Sequence, residues 1–381
     1  MTKAIYVHIP FCVKKCNYCD FNSYPLSNLP LKEYLEALKR EMEMIVQTNP
    51  TEKIMTIFIG GGTPTILKAK EMEYLLYSLE RFFPSRDKQI EFTIEANPGT
   101  LDLEKLNVMK DFGVNRISLG VQAFQDNILS YIGRIHTVED IYQSIETIKK
   151  VGFENISIDL MFGLPGQSVR LFKESLIRFF ELKIPHVSVY SLIIEEGTQF
   201  YSLNKKNELS LPSEEDELTM YLVTMNEMGK NNYRHYEISN FSKIGYESKH
   251  NINYWRNNEY IGLGSGAHGY IDSRRYENIK GVNEYIKSLS KNILPRETEY
   301  IVSNKENKEN MLMLGLRMLD GVKFSDYQEL FNEDLRLEFK KQISKLDNLG
   351  LILIDNYCIK LSEKGLLYGN EVFAEFIHSN D

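Results

Sequence analysis

Six short β-branched runs alternate with six segments of helical spacing, and that alternation restricts the fold more than any other feature of the chain. The runs are Ala4–His8, Ile54–Ile59, Ile90–Glu95, Arg116–Gly120, Asn155–Leu160 and His186–Leu192. The segments are Leu31–Val46, Ala69–Phe83, Leu103–Phe112, Val138–Val151, Val169–Leu182 and Glu214–Gly229. Strands alternating with helices of that length read as βα units on a parallel sheet. An internal repeat supports the reading: the octapeptide Phe112–Leu119 is echoed 39 residues later by Val151–Ile158. In each copy a Gly ends a helix, where a left-handed backbone is needed, and leads into the next strand. Six consecutive units close most of a (βα) barrel, short of the usual eight.

The pattern then changes. Residues 233–276 are rich in Asn, Tyr, Gly and Ser and hold no long helical stretch. Beyond Asn304 come helical segments Met311–Leu319, Phe324–Phe331 and Leu335–Leu349, a strand pair Leu351–Ile354 and Cys358–Leu361, and a final helix from Glu363. The expected organisation is an α/β partial (βα)6 barrel over 1–232, a connecting region over 233–303, and a helical, winged-helix-like domain over 304–381. Winged helices often bind DNA. Here 45 Lys and Arg stand against 53 Asp and Glu, a net charge of −8, so protein contact is the expectation and nucleic acid is not. A hydrophobic content of 43% excludes disorder. No apolar run approaches the ~18–20 residues of a membrane span, and the N-terminus lacks a signal-peptide pattern. The expectation is a soluble, cytoplasmic protein.

Four cysteines do not make a disulfide framework in a chain of 381 residues, and three of them fall within eight positions. Cys12, Cys16 and Cys19 form a C-x3-C-x2-C loop directly after the first strand, where barrel enzymes place their chemistry. Three such thiolates suit a [4Fe–4S] cluster with one iron left open for a substrate or cofactor. A zinc site completed by His8 or Cys358, or a set of buried thiols, are the alternatives. Gly60-Gly61-Gly62-Thr63-Pro64 follows the second strand. Glycines there let the backbone approach a ligand closely, and no Gly-Lys-Ser/Thr follows to make it a P-loop. Glu95, Gln122 and Asp159 each lie at or just past a strand end and mark one face of the barrel. Gly262–Ala267 fits a loose dinucleotide fingerprint, but the residues after it do not read as a helix, so it is discounted.

The cysteine loop, with Tyr18 just before the third Cys, resembles the radical S-adenosylmethionine (SAM) family. That resemblance implies a [4Fe–4S] cluster on Cys12, Cys16 and Cys19 whose open iron chelates SAM. It also implies SAM contacts from Tyr6, Tyr18, Gly61, Gly62, Thr63, Glu95, Gln122, Arg134 and Asp159. Cleavage of the sulfonium by an electron from the cluster gives a 5′-deoxyadenosyl radical in that family, with the cluster held toward ~ −700 mV.

His8-Ile9-Pro10-Phe11-Cys12, Gly60–Pro64, Asp159–Pro165 and the C-terminal helical domain are similar to the oxygen-independent coproporphyrinogen III oxidase-like branch, over nearly the whole chain. That branch contains oxidases and haem chaperones. The oxidases carry a fourth cysteine two residues after the third, where this chain has Phe21, and an N-terminal extension, whereas only eleven residues precede Cys12. Both departures argue against decarboxylation. His250-Asn251-Ile252-Asn253-Tyr254-Trp255 matches the chaperones' HNxxYW motif. It implies haem, with His250 as axial imidazole, Tyr254 and Trp255 packing on porphyrin, and His235, His268 or Cys358 as candidate second ligands. No residue is given a catalytic role. The implied partners are haem-dependent client apoproteins, with membrane-bound respiratory enzymes, a homodimer and peripheral membrane contact as further candidates.

Overall fold

In a computed structural model, which describes residues 3–27, 29–49 and 53–377, the six alternating units form one continuous array. They are β1 (Ala4–Ile9), α1 (Leu31–Thr48), β2 (Ile54–Gly61), α2 (Ala69–Phe82), β3 (Arg86–Ala96), α3 (Leu103–Asp111), β4 (Arg116–Gln122), α4 (Val138–Val151), β5 (Asn155–Phe162), α5 (Val169–Leu182), β6 (His186–Ser191) and α6 (Glu214–Lys230). Strands β1 to β6 pair in sequence order, all parallel. The repeat glycines do what the sequence requires of them: Gly113 and Gly152 both have positive φ, 84° and 90°, where a helix turns into a strand.

The sheet does not close. The region after α6 adds three strands to its two ends. β7 (Arg234–Glu237) and β8 (Asn240–Ser242) extend it antiparallel beyond β6, and after the short helix α7 (Lys249–Trp255), β9 (Ile261–Leu263) joins parallel to β1. The nine-stranded order is β9-β1-β2-β3-β4-β5-β6-β8-β7. Segment 233–303 therefore belongs in part to the main sheet, with a separate antiparallel sheet of His268–Ile271, Arg274–Asn278 and Arg296–Ile301 beside it.

Side-chain alternation sets what each face of the sheet carries. Ile57, Ile59, Ile94, Ile117, Leu119, Ile158, Val187 and Val189, at most 1% exposed, pack in the core. Thr56, Glu91, Thr93, Arg116, Ser118, Ser157 and His186 alternate with them and are also buried, so the opposite face of the strands is polar. A polar interior in a parallel sheet is costly unless its groups are paired, and it distinguishes a ligand-holding barrel from a solid one.

A second hydrophobic core, including Leu312, Leu316, Tyr327, Phe339, Ile359 and Phe373, holds the C-terminal segment together. Its order is helix Asn304–Gly315, short strand Val322–Lys323, helices Phe324–Phe331 and Lys340–Asn348, then strands Ile352–Ile354 and Cys358–Leu361 in one antiparallel sheet. That is the order of a winged helix. No helix among the described residues is long and apolar enough to cross a membrane.

Candidate active site

The cysteine loop is pinned to the barrel from three directions. On the β2 side, Gly62 and Thr63 donate backbone hydrogen bonds to Ile9 (2.8 Å) and Phe11 (2.7 Å). A Cβ at Gly62 would lie 2.5 Å from the Phe11 carbonyl oxygen, so no larger residue permits this approach. Toward the β4–α4 connection, the Asn17 N–H donates to Ile132 O (3.0 Å) and its side-chain amide to Tyr131 O (2.8 Å), while Phe200 N donates to Asn17 O (2.9 Å). At the exit of the loop, Asn22 donates to Ser265 O (3.0 Å) and Lys280 O (3.2 Å).

This fastening places Cys12, Cys16 and Cys19 on the wall of a cavity of about 400 Å3. Eight of the nine residues expected to contact SAM line the same cavity: Tyr18, Gly61, Gly62, Thr63, Glu95, Gln122, Arg134 and Asp159. Tyr6 does not. Its hydroxyl donates to His8 Nδ1 (2.9 Å), and its ring packs near Phe58, 6.2 Å between centroids. His8 Nε2 in turn donates to the Asn22 carbonyl (2.8 Å). Both ring nitrogens of His8 are thus committed, and Cys358 lies on the C-terminal hairpin beside Asp355. Neither completes a zinc site with the loop. Among the described residues, no three His, Cys, Asp or Glu side chains come close enough together to hold one metal ion.

The electrostatics of the cavity are dominated by burial. Burial, reinforced by Asp159, pushes the Glu95 carboxyl up to about 7 against the opposing help of the Gly61 N–H and Arg116. Asp159 is raised by burial too, with the Ser188 hydroxyl, Arg116 and Arg134 pulling the other way. Burial also raises the Cys12 and Cys19 thiols. Gln122 sits at a break in β4–β5 register with φ of 71°, and Ala123 N closes back on Val121 O (3.0 Å). That is a strained γ-turn on a non-glycine residue. It aims the Gln122 amide at the cavity, where it accepts from the Tyr190 hydroxyl (3.0 Å).

Several lining residues escaped the sequence reading: Ser23, Asn97, His136 and Tyr190. Position alone marks two of them, since Asn97 lies two residues past Glu95 and Tyr190 is in the last strand of the barrel. His136 has no such signal. It is 5% exposed, and its Nε2 meets Val121 O at 3.3 Å.

The HNxxYW segment lies outside the lining of this cavity. It is α7, and His250 is 1% exposed within it. Its Nδ1 pairs with the Thr56 hydroxyl (2.8 Å), its Nε2 with the Tyr254 hydroxyl (2.9 Å), and its ring stacks on Phe58 at 5.2 Å. Burial and Arg116 lower its pKa to about 3. Both nitrogens of the imidazole expected to meet haem iron are thus engaged by protein partners in this structure. Trp255 packs under Arg317, 4.4 Å from its ring, not on an open surface. Of the candidate second ligands, His235 stacks on Phe241 at 4.2 Å and His268 faces Glu277, so neither pairs with His250.

Comparison with known proteins assigns the class. The radical SAM superfamily pattern matches residues 6–178, and the HemN C-terminal domain pattern matches residues 302–368. The fold resembles that of coproporphyrinogen III oxidase (HemN) from Escherichia coli, with a TM-score of 0.86 at 22% identity over 99% of this chain and 90% of that one. The protein is thus of the radical SAM class. Over 375 residues it is 42% identical to the heme chaperone HemW of Bacillus subtilis, covering 98% of this chain and 99% of that one. It is 43% identical over 376 residues to the heme chaperone HemW of Lactococcus lactis, covering 98% and 97%. The chain belongs to the HemW family.

Membership of the radical SAM superfamily implies a [4Fe–4S] cluster and SAM, and the residues present fit both. Three cysteines without other ligands face one cavity, each with a hydrogen-bond partner on its sulfur. Two buried carboxyls and close-approach glycines stand beside them, complementary to the cationic and polar ends of SAM.

Proposed function

We propose that this protein is a haem chaperone that carries a [4Fe–4S] cluster and SAM and delivers haem to client apoproteins. The observation that carries the reading is an apolar collar at the mouth of the cluster cavity. Val13, Phe21, Ile135 and Ile193 line that mouth and are 56%, 59%, 57% and 67% exposed. Large apolar side chains gathered at a cavity mouth mark a binding surface, not the scattered exposure of an ordinary protein exterior. A flat, apolar macrocycle suits it, and Lys14 and Lys15 on the same rim complement its propionates. Phe21 stands where the oxidases place a further cysteine, so a departure from the oxidase pattern is itself part of the collar.

Cys12, Cys16 and Cys19 would hold the cluster, and Gly61, Gly62, Thr63, Glu95, Gln122, Arg134 and Asp159 would hold SAM. Bound together, those two groups supply one-electron chemistry at the sulfonium. The chain's own residues orient SAM and keep water from it; no residue in the cavity is assigned a proton transfer. The reading places haem delivery in the cytoplasm, with membrane-bound respiratory enzymes among the clients, and includes a homodimer.

The test is a haem titration of the anaerobically reconstituted protein, followed by the Soret band. Phe21→Ser combined with Ile193→Ser should weaken haem binding by at least tenfold while iron and sulfide content stay at the parent level. His250→Ala should lower thermal stability, because Thr56 and Tyr254 lose their partner, and leave haem affinity intact. Loss of haem binding in His250→Ala with the collar variant unaffected would move the haem site to α7. Conversion of coproporphyrinogen III to protoporphyrinogen IX would replace the chaperone reading with the oxidase.

A further inference from the structure

The three cluster cysteines differ in what touches their sulfurs. The Thr63 hydroxyl donates to Cys12 Sγ at 3.6 Å, and an Arg134 guanidinium N–H donates to Cys16 Sγ at 3.5 Å. Ser23 Oγ lies 4.0 Å from Cys19 Sγ. The first two donors are tied together by a side chain that no motif singled out. Arg134 also donates to the Asn97 side-chain carbonyl and to Gly120 O, and the Asn97 amide donates to the Thr63 hydroxyl at 2.8 Å.

The polarity of this chain is fixed by chemistry. Arginine can only donate, so the Asn97 oxygen must face Arg134 and its NH2 must face Thr63. A threonine hydroxyl has a single proton. With the Thr63 oxygen accepting from Asn97, its one proton is free to point at the Cys12 sulfur. Thr63 is 3% exposed, so water does not compete for the same positions.

We infer that Asn97 is a positioning residue which, through Thr63 and Arg134, sets the reduction potential of the cluster by directing hydrogen bonds onto the Cys12 and Cys16 sulfurs. Reduction adds negative charge to the cluster and its thiolates. A donor aimed at a ligating sulfur stabilises the reduced form and raises the potential. An arginine does so with a full positive charge as well. Cys19 has donors of its own in the Ser23 hydroxyl and the Phe21 N–H, and Ser23 also reaches Cys12, so the chain through Asn97 acts on Cys12 and Cys16. The inference rests on the cluster assignment and is independent of where haem binds.

Redox titration of the cluster-loaded full chain with dithionite, followed by electron paramagnetic resonance in the absence of SAM, tests it. Thr63→Val keeps the shape and removes the donor. It should make reduction about tenfold less favourable, a fall of about 59 mV for one electron, while Thr63→Ser should stay near the parent. Asn97→Ala, which loosens both donors, should fall at least as far as Thr63→Val. Iron content, measured on each sample, separates this from failure of the cluster assignment itself. A parent protein that binds no cluster would remove the assignment, whereas full iron with an unshifted Thr63→Val potential would overturn the inference alone. Equal shifts in Thr63→Val and Thr63→Ser would also overturn it, because packing and not the hydroxyl would then set the potential. Loss of iron from Thr63→Val and Asn97→Ala would assign these residues to holding the cluster in place of tuning it.

Discussion

At the scale of single residues, two side chains of the same type have opposite fates. Cys12 opens onto the cavity beside Thr63, while Cys358 lies on the C-terminal hairpin next to Asp355. Cys12→Ser should abolish the iron–sulfur chromophore, and Cys358→Ser should leave iron and sulfide at about four each per chain. Cluster loss in Cys358→Ser would require a fourth protein ligand. Glu95 yields a pH dependence. Its carboxyl is held up at about 7, so below that pH the folded protein carries a proton there that the unfolded chain gives up near its ordinary value. The contribution to stability is therefore present at low pH and is lost as pH rises through 7. SAM carries a sulfonium cation and favours the carboxylate, so its affinity should run the other way, weakening by up to about tenfold for each pH unit below 7. Glu95→Gln should flatten both profiles. A SAM affinity in the parent that is constant between pH 5.5 and 8 would show that Glu95 is not at the cation.

At the scale of elements, the six βα units were legible because their signal is local. The observed bounds of β1, β4 and β5 and of helices α1 to α6 fall within a residue or two of those read from periodicity, whereas the expected helix Met311–Leu319 begins seven residues earlier, at Asn304, and the expected Leu335–Leu349 is broken at Phe339. β3 begins earlier than expected, at Arg86, because Arg86–Gln89 has no β-branched pattern and owes its strand form partly to pairing with Ile54. The three added strands β7, β8 and β9 were not legible, since each is three or four residues long and is defined by partners far away in sequence. The glycine-rich segment Gly262–Ala267 shows how a motif can fail and the residues still matter. A strand, not a helix, follows it, at His268. Its backbone receives Asn22 at Ser265 and is fixed by the buried carboxylate Glu41, which accepts from Gly264 N (2.8 Å). Close packing also governs the end of β4. A Cβ at Gly120 would lie 2.8 Å from the Asn97 side-chain oxygen and 2.9 Å from Arg134. Gly120→Ala should cost about 1–3 kcal/mol from overpacking and push Arg134 off Cys16. Thermal melting and the cluster potential should therefore change together, and a stability loss with an unchanged potential would confine the clash to packing.

At the scale of the whole molecule, α7 joins two cores. On one side His250 docks on β2 through Thr56 and Phe58, and the N–H groups of Lys249 and His250 are met by the Glu91 carboxylate (2.9 and 3.0 Å). On the other side Trp255 lies under Arg317, which also reaches Phe373 at 5.7 Å, and Arg256 bonds Asp320 (2.6 Å) and Gly321 O (2.9 Å). The sequence marked His250 and Tyr254 only through their motif; that they lie four apart on one short helix came from the structure. The motif could not say whether these side chains met a ligand or a strand, because both need the same aromatic and imidazole groups. The geometry makes the segment a coupling element, and this has a measurable consequence. Trp255→Ala removes the cation–π contact and the apolar surface that Arg317 and its neighbours cover. The interaction with Arg317 alone should contribute on the order of 1–2 kcal/mol at a partly buried site. The loss falls on the joint and not on either core, so amide exchange should speed up across residues 304–377 while β1 to β6 keep the parent's protection. Cluster loading and SAM binding should persist, because Cys12, Cys16, Cys19 and the carboxyls are held by β1 to β5 and their loops. Faster exchange spread evenly over both cores would mean that α7 stabilises the barrel directly and that the C-terminal domain is held by contacts other than Trp255.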